Sequence, residues 1–305
     1  VLLRNGGVSR DGAAIAMTER TSMRASLVQF RCVVGDVSGN VRRMVERVAE
    51  AATKGSELVL FPEMSDTGYE MDAILREATA WETGGSSARA LAEAARRHRV
   101  AVVAGLAERT AEGIFNAIAV FDRDGDCVAT YRKTHLMRLE PTAEARHLRP
   151  GTALCAFTLA GFRFGLVVCY EVRFPEVARA LALAGAEVLV VPAAFPAARR
   201  DHWKILTQAR AVENQAYVLA VNRVGTDGTV LLGGASRVVD PWGIVEAAGS
   251  EDDETVLDAT LERARLARVR AGLRVFEDRR ESVYGTVRTG AKAFTAPPVT
   301  EPTEE

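Results

Sequence analysis

The stretch RFGLVVCYEVRFPEVARALALAGAEVLVVPAAF, residues 163–195, decides the fold. It opens on an apolar run, RFGLVVCY, that reads as a buried strand. Pro175 suits the first turn of the helix that follows, and Gly185 stops that helix. AEVLVVPAAF (186–195) is again a strand. Apolar strands interleaved with a helix in this way predict an α/β protein whose sheets are buried by helices. The stretch also raises a chemical question, because Cys169 is followed at once by Tyr170, Glu171 and Arg173. A cysteine that only fills a core has no need of such neighbours.

Working outward, the same alternation fills the chain from Met23 to about Gly285. SLVQF (26–30), ELVLFPE (57–63), VAVVAGLAE (100–108) and YVLAVNRVG (217–225) read as strands. Ser38 is the expected cap of a helix carrying Val41, Met44, Val45 and Val48 on one face, ended by Gly55. Ser86 or Ser87 is the expected cap of a helix running through His98. NAIAVFDRDGDCVATYRK (116–133) folds as a hairpin around an Asp-Gly turn, and a second hairpin passes through ASRVVDPWG (235–243). The hairpins exclude a purely parallel sheet. One domain of mixed sheets is expected over residues 23–285. A loosely ordered extension (1–22) precedes it, and a Pro-rich acidic tail (286–305), partly disordered, follows.

The totals set limits. With 305 residues, 48% hydrophobic, the chain can bury a sizeable core. Lys plus Arg is 39 against 40 for Asp plus Glu, so no net field recruits nucleic acid or an anionic membrane. No apolar run approaches the roughly 18 residues that span a bilayer. The four cysteines have no CxxC or Cys/His ligand spacing, which argues against zinc and disulfide frameworks and for a reduced, cytoplasmic setting. No phosphate-binding glycine loop is present. GGSS (84–87) lacks the lysine and second serine of a serine-based amidase and reads as a helix start.

Glu63, Lys133 and Cys169 each sit at or just beyond the end of an apolar strand, and in open α/β sheets such ends gather at the ligand crevice. An acid, an amine and a thiol suffice for acyl transfer through a thioester. The ammonium favours the thiolate, the carboxylate moves the proton, and Lys133 with the backbone N–H of Tyr170 can hold an oxyanion. Each residue also has a plainer reading: a core cysteine, a capping glutamate, a lysine at the rim.

The flanking words decide between these readings. FPEMSDTGY (61–69), YRKTHL (131–136) and CYEVRFPE (169–176), in this order, resemble the nitrilase superfamily of carbon–nitrogen hydrolases. Gln29, ARAVENQAYVLAVNRVG (209–225) and DPWG (240–243) extend the resemblance over nearly the whole chain. It implies an α-β-β-α sandwich of mixed sheets, with Glu63 as general base, Lys133 as oxyanion-stabilising lysine and Cys169 as nucleophile. It also implies a second glutamate before a Pro-Gly, for which AEARHLRPG (143–151) offers Glu144, with Glu140 as competitor. No metal and no cofactor are implied. Homodimers are common in the family, which would give Arg279, Arg280 and Tyr284 a partner-binding use.

Within the superfamily, CYEVRFPE with PAAFP (192–196) and DHWKILTQARAVENQ (201–215) looks most like the amidase branch of omega-amidases and deaminated-glutathione amidases. Such enzymes release ammonia from small carboxylated amides. Arg173, four residues after the cysteine, stands where N-carbamoyl-amino-acid amidohydrolases grip a carboxylate. An ion pair with Glu171 or Glu176 is its plainer reading. Tyr69, Tyr170, Phe195 and Trp203 are the further candidates for binding substrate. LMRLEPTAEAR (136–146) departs from the loop expected of an omega-amidase. Nitrile hydrolysis, acyl transfer to an acceptor other than water and a non-catalytic subunit are the alternatives.

Overall fold

The computed structural model describes residues 20–81, 85–285, 287–289 and 292–294. Most of the expected extension and tail therefore lies outside the described residues. Ser22 already opens the first strand.

The first half of the chain runs β1 (Ser22–Gln29), α1 (Val37–Thr53), β2 (Leu58–Leu60), α2 (Met71–Glu77), α3 (Ser86–His98), β3 (Ala101–Thr110), β4 (Gly113–Phe121) and β5 (Cys127–Arg132). The second half runs β6 (Ala156–Leu159), β7 (Phe162–Leu166), α4 (Pro175–Leu183), β8 (Val188–Ala193), α5 (Arg200–Asn214) and β9 (Tyr217–Asn222). After it come β10 (Val224–Asp227), β11 (Val230–Gly233), β12 (Arg237–Val239), β13 (Val245–Ala248), β14 (Thr255–Glu262) and α6 (Arg263–Gly272).

Two six-stranded sheets result, ordered β14-β1-β2-β3-β4-β5 and β13-β12-β9-β8-β7-β6. Each is parallel at its centre, through β1-β2-β3 and β7-β8-β9, and antiparallel at its edges. Alternation along the strands sorts the core. Leu27, Leu58, Leu60 and Val103 meet Phe164, Val188 and Val190 in one cluster between the sheets. Val28, Val59, Phe61 and Val102 face the other way, onto Met44 and Val48 of α1 and Leu91 of α3. Helices α4 and α5 cover the second sheet with Leu181, Trp203 and Ala211. The molecule is thus the expected α-β-β-α sandwich, a single domain. Fully burying each such side chain contributes about 1.5–3 kcal/mol.

Three local expectations are corrected. Asp36, not Ser38, caps α1, because its Oδ1 accepts from Gly39 N at 2.9 Å while Ser38 lies inside the first turn. Neither Ser86 nor Ser87 caps α3. Gly85 holds that position without a side-chain bond, and Ser87 is buried. The strand expected through Tyr170 ends at Leu166. Cys169–Arg173 forms a tight helical turn that aims the cysteine out of the sheet.

Candidate active site

The site is assembled from strand ends. Beyond β2 the chain passes Pro62 to Glu63, packed so closely on β3 that a Cβ at Gly105 would lie 2.4 Å from Pro62 O and 2.6 Å from Glu63 Cα. Only glycine fits there. Beyond β5, Lys133 is drawn against the 150–151 segment, where a Cβ at Gly151 would lie 2.0 Å from Arg132 O. Glu144 is delivered by a single helical turn, Glu144–Arg146, between these segments.

All three side chains are fully buried. Lys133 Nζ donates to Glu63 Oε1 at 2.8 Å and to Glu144 Oε2 at 2.8 Å. Glu63 Oε2 accepts from Ala194 N at 2.8 Å, and Glu144 Oε2 from Met137 N at 2.9 Å. Asn116 Nδ2 donates to both carboxylates, at 2.7 Å each. Burial is the largest influence on Lys133 and works against its charge. Glu144 and Glu63 outweigh it and hold the ammonium pKa well above its ordinary value. Glu140, the competitor, is exposed and pairs instead with Arg146.

Cys169 opens its turn with φ 49°, a left-handed backbone that costs a non-glycine residue roughly 1–3 kcal/mol and recurs at functional sites. The thiol is buried. Burial first, then the negative charge of Glu63, push its pKa well up, and Lys133 only partly opposes them. Burial and Glu63 thus oppose the thiolate that the Lys133 ammonium favours, and that ammonium already faces two carboxylates.

Glu171 fixes the turn. Its Oε2 accepts from Val168 N at 2.8 Å, and its Oε1 accepts from Tyr131 OH and Thr134 N at 2.8 Å each and from Thr134 Oγ1 at 2.7 Å. One carboxylate thus ties the cysteine turn to the segment carrying Lys133. Burial alone would raise its pKa. The bonds from His135, Val168, Thr134 and Tyr131 win and hold it below the ordinary value. His135 lies beside it, stacked on Phe174 with centroids 4.3 Å apart, and Glu171 holds the imidazole pKa above its ordinary value.

Cys169 lines a cavity of about 390 Å³ together with Tyr69, Arg173, Phe195, Arg199 and the 137–142 loop. That is a size ordinary for small-molecule sites. The loop that departs from the omega-amidase pattern therefore shapes this wall. Tyr69 is held by its backbone, whose N–H donates to Asp227 Oδ2 at 2.6 Å. Asp227 is in turn paired with buried Arg223 at 2.6 Å. Arg173 forms no ion pair with Glu171 or Glu176. It leans on His202 Nδ1 at 3.3 Å and lies over the Phe195 ring at 5.2 Å.

Two candidates fall outside the wall. Trp203 is fully buried behind Phe195, at 5.3 Å, with its indole N–H on Ala235 O at 2.9 Å. The Tyr170 ring packs edge-on against Phe174, at 5.2 Å. Sequence reasoning missed Asn116, the Ala194 N–H and Arg199. Asn116 was visible only as a polar residue at a buried strand position. Its two partners lie far away in sequence.

A larger depression of about 810 Å³ lies beside β5, lined by Arg132, Arg149 and Cys155, but it is shallow and holds none of the four site residues. Among the described residues no cluster of His, Cys, Asp and Glu could hold a metal, and no helix is long and apolar enough to cross a membrane.

Comparison with known proteins agrees with this geometry. Residues 24–271 match the family model described as carbon-nitrogen hydrolase. The chain is 35% identical to a 2-oxoglutaramate amidase of Bacillus subtilis, covering 85% of this chain and 98% of that one. It is 34% identical to the human omega-amidase NIT2, covering 87% and 97%. A Nesterenkonia amidase with the acetamide moiety of fluoroacetamide covalently added at its active-site cysteine superposes with a TM-score of 0.75. It shares 28% identity over 87% of this chain and 96% of that one.

Proposed function

The chain belongs to the carbon–nitrogen hydrolase family, an amidase acting on C–N bonds other than peptide bonds, and from that premise we propose the substrate and the roles of the residues. The substrate is a small amide with a carboxylate at its far end, and ammonia is released through a thioester on Cys169. The observation that carries this is a buried thiol beside a glutamate–lysine–glutamate cluster, in a cavity whose outer wall holds an arginine with no carboxylate partner among the described residues.

Glu63 takes the thiol proton as Cys169 Sγ attacks the amide carbon. The oxyanion rests on Lys133 and the Tyr170 N–H. Glu63 then hands the proton to the departing nitrogen, and the C–N bond breaks. Water, deprotonated by Glu63, attacks the thioester. The acid leaves and the proton returns to sulfur. Glu144 and Asn116 hold Lys133 and Glu63 in register throughout, and Arg173 receives the carboxylate. The activity of the Bacillus subtilis relative, whose name describes an amide of a 2-oxo acid, supports this class. A homodimer in a cytoplasmic setting is part of the same reading. Exposed Ile205 and Val212 on α5, with Trp242 and Ile244 beside it, supply an apolar face for the partner.

The test is ammonia release from succinamate, N-carbamoyl amino acids and simple nitriles, by the wild type and by Cys169→Ala. Release from succinamate that disappears in the variant is expected. Release confined to carbamoyl compounds or nitriles would replace the amide reading.

A further inference from the structure

The cavity contains a second guanidinium. Arg199 ends the short turn Ala197–Arg199 just before α5 and lines the same wall as Arg173. Other half-buried arginines are held by the protein itself: Arg179 and Arg270 rest on backbone carbonyls, while Arg132 grips the Glu108 carboxylate at 2.6 and 2.9 Å and Arg200 reaches the Glu251 carboxylate at 2.8 Å. Among the described residues neither Arg173 nor Arg199 has one. The only carboxylate on the cavity wall, Glu140, is held by Arg146.

Two like charges left in one half-closed cavity repel each other. The repulsion is felt, since burial first and Arg199 second hold the Arg173 pKa below its ordinary value. An anion placed between them relieves it, and one carboxylate has acceptor sites enough for both forks. The same cavity is also lined by the apolar side chains of Leu139, Phe195 and Val230. A short aliphatic stem suits it.

We propose that Arg199 is a substrate-binding residue that shares with Arg173 the carboxylate of a short aliphatic ω-amide, so that specificity rests on a two-arginine clamp. This rests on the amidase reading above and names the end of the substrate that the reading leaves open. Turnover and binding separate the two claims. The probes are succinamate and its neutral analogue succinamide, titrated calorimetrically into the Cys169→Ala protein with and without Arg199→Gln. Arg199→Gln is expected to cut the preference for succinamate over succinamide by about 10- to 30-fold, as loss of a charge-assisted pair does. Arg199→Lys should restore part of it. The same preference in kcat/KM should fall through KM in the enzyme with Cys169 intact.

An equal loss for both ligands, no change for either, or no binding of either would overturn the clamp. Tight, Arg199-dependent binding of succinamate with no turnover by the wild type would instead overturn the hydrolase reading and leave the clamp standing.

Discussion

The buried cluster behind Cys169, a floor beneath the cavity, and the cavity's outer wall both carry charge, but they hold it differently. On the floor, Lys133 lies between two carboxylates at 2.8 Å, and Asn116, Ala194 N and Met137 N occupy most of what remains. At the wall, Arg173 meets an imidazole and an aromatic ring, and the charge of Arg199 acts against its own. A buried set that satisfies itself is rigid before any ligand arrives, which is what positions a reaction. A half-exposed set that does not satisfy itself tolerates solvent while empty and gains from a complementary charge. On the proposed reading, paired charge marks the machinery, and charge left unpaired among the described residues marks recognition.

Three changes would break or sharpen that contrast. Lys133→Met has the largest expected effect. It strands two carboxylates in the interior and should abolish turnover while costing about 3–5 kcal/mol of stability, measured by denaturant unfolding. Adding Glu144→Gln should recover part of the stability and none of the activity. A single variant as stable as the wild type would show that the floor is not a balanced unit.

Glu171→Gln comes next, with about 1–3 kcal/mol lost and a slower kcat, because an amide cannot accept every bond its carboxylate takes. The sign of its pH dependence follows from the lowered pKa. The stability Glu171 contributes is fully present above the ordinary value of 4.5 and is lost as pH falls through the folded-state value. The gap between variant and wild type should therefore close in acid. A gap that widens there would assign the stabilisation to some other group.

Arg173→Gln is the mildest. Stability should stay within about 0.5 kcal/mol, as at exposed sites, while KM for a carboxylated amide rises about tenfold. A large loss of stability would move Arg173 from the wall to the framework.

What the sequence revealed and concealed follows the same division. Mixed sheets buried by helices were legible because alternation and turn residues are local signals, while the sandwich itself was implied by the resemblance of the three motifs. The positions of Glu63, Lys133 and Cys169 at strand ends were legible because a polar residue closing an apolar run stands out. Asn116 was not, since its role depends on glutamates that reach it from 53 residues before and 28 after. Arg199 was hidden in RRDH, which reads as an ordinary solvated helix start. The influences that oppose a Cys169 thiolate were not legible, because a lysine is visible in sequence and its burial between carboxylates is not.

The raised pKa of that thiol has a consequence outside catalysis. Hydrogen peroxide and related oxidants attack thiolates far faster than thiols. With Cys169 buried and its pKa pushed up by burial and Glu63, the thiolate that such oxidants need is disfavoured. The surroundings that raise this pKa thereby also work against sulfenic acid formation.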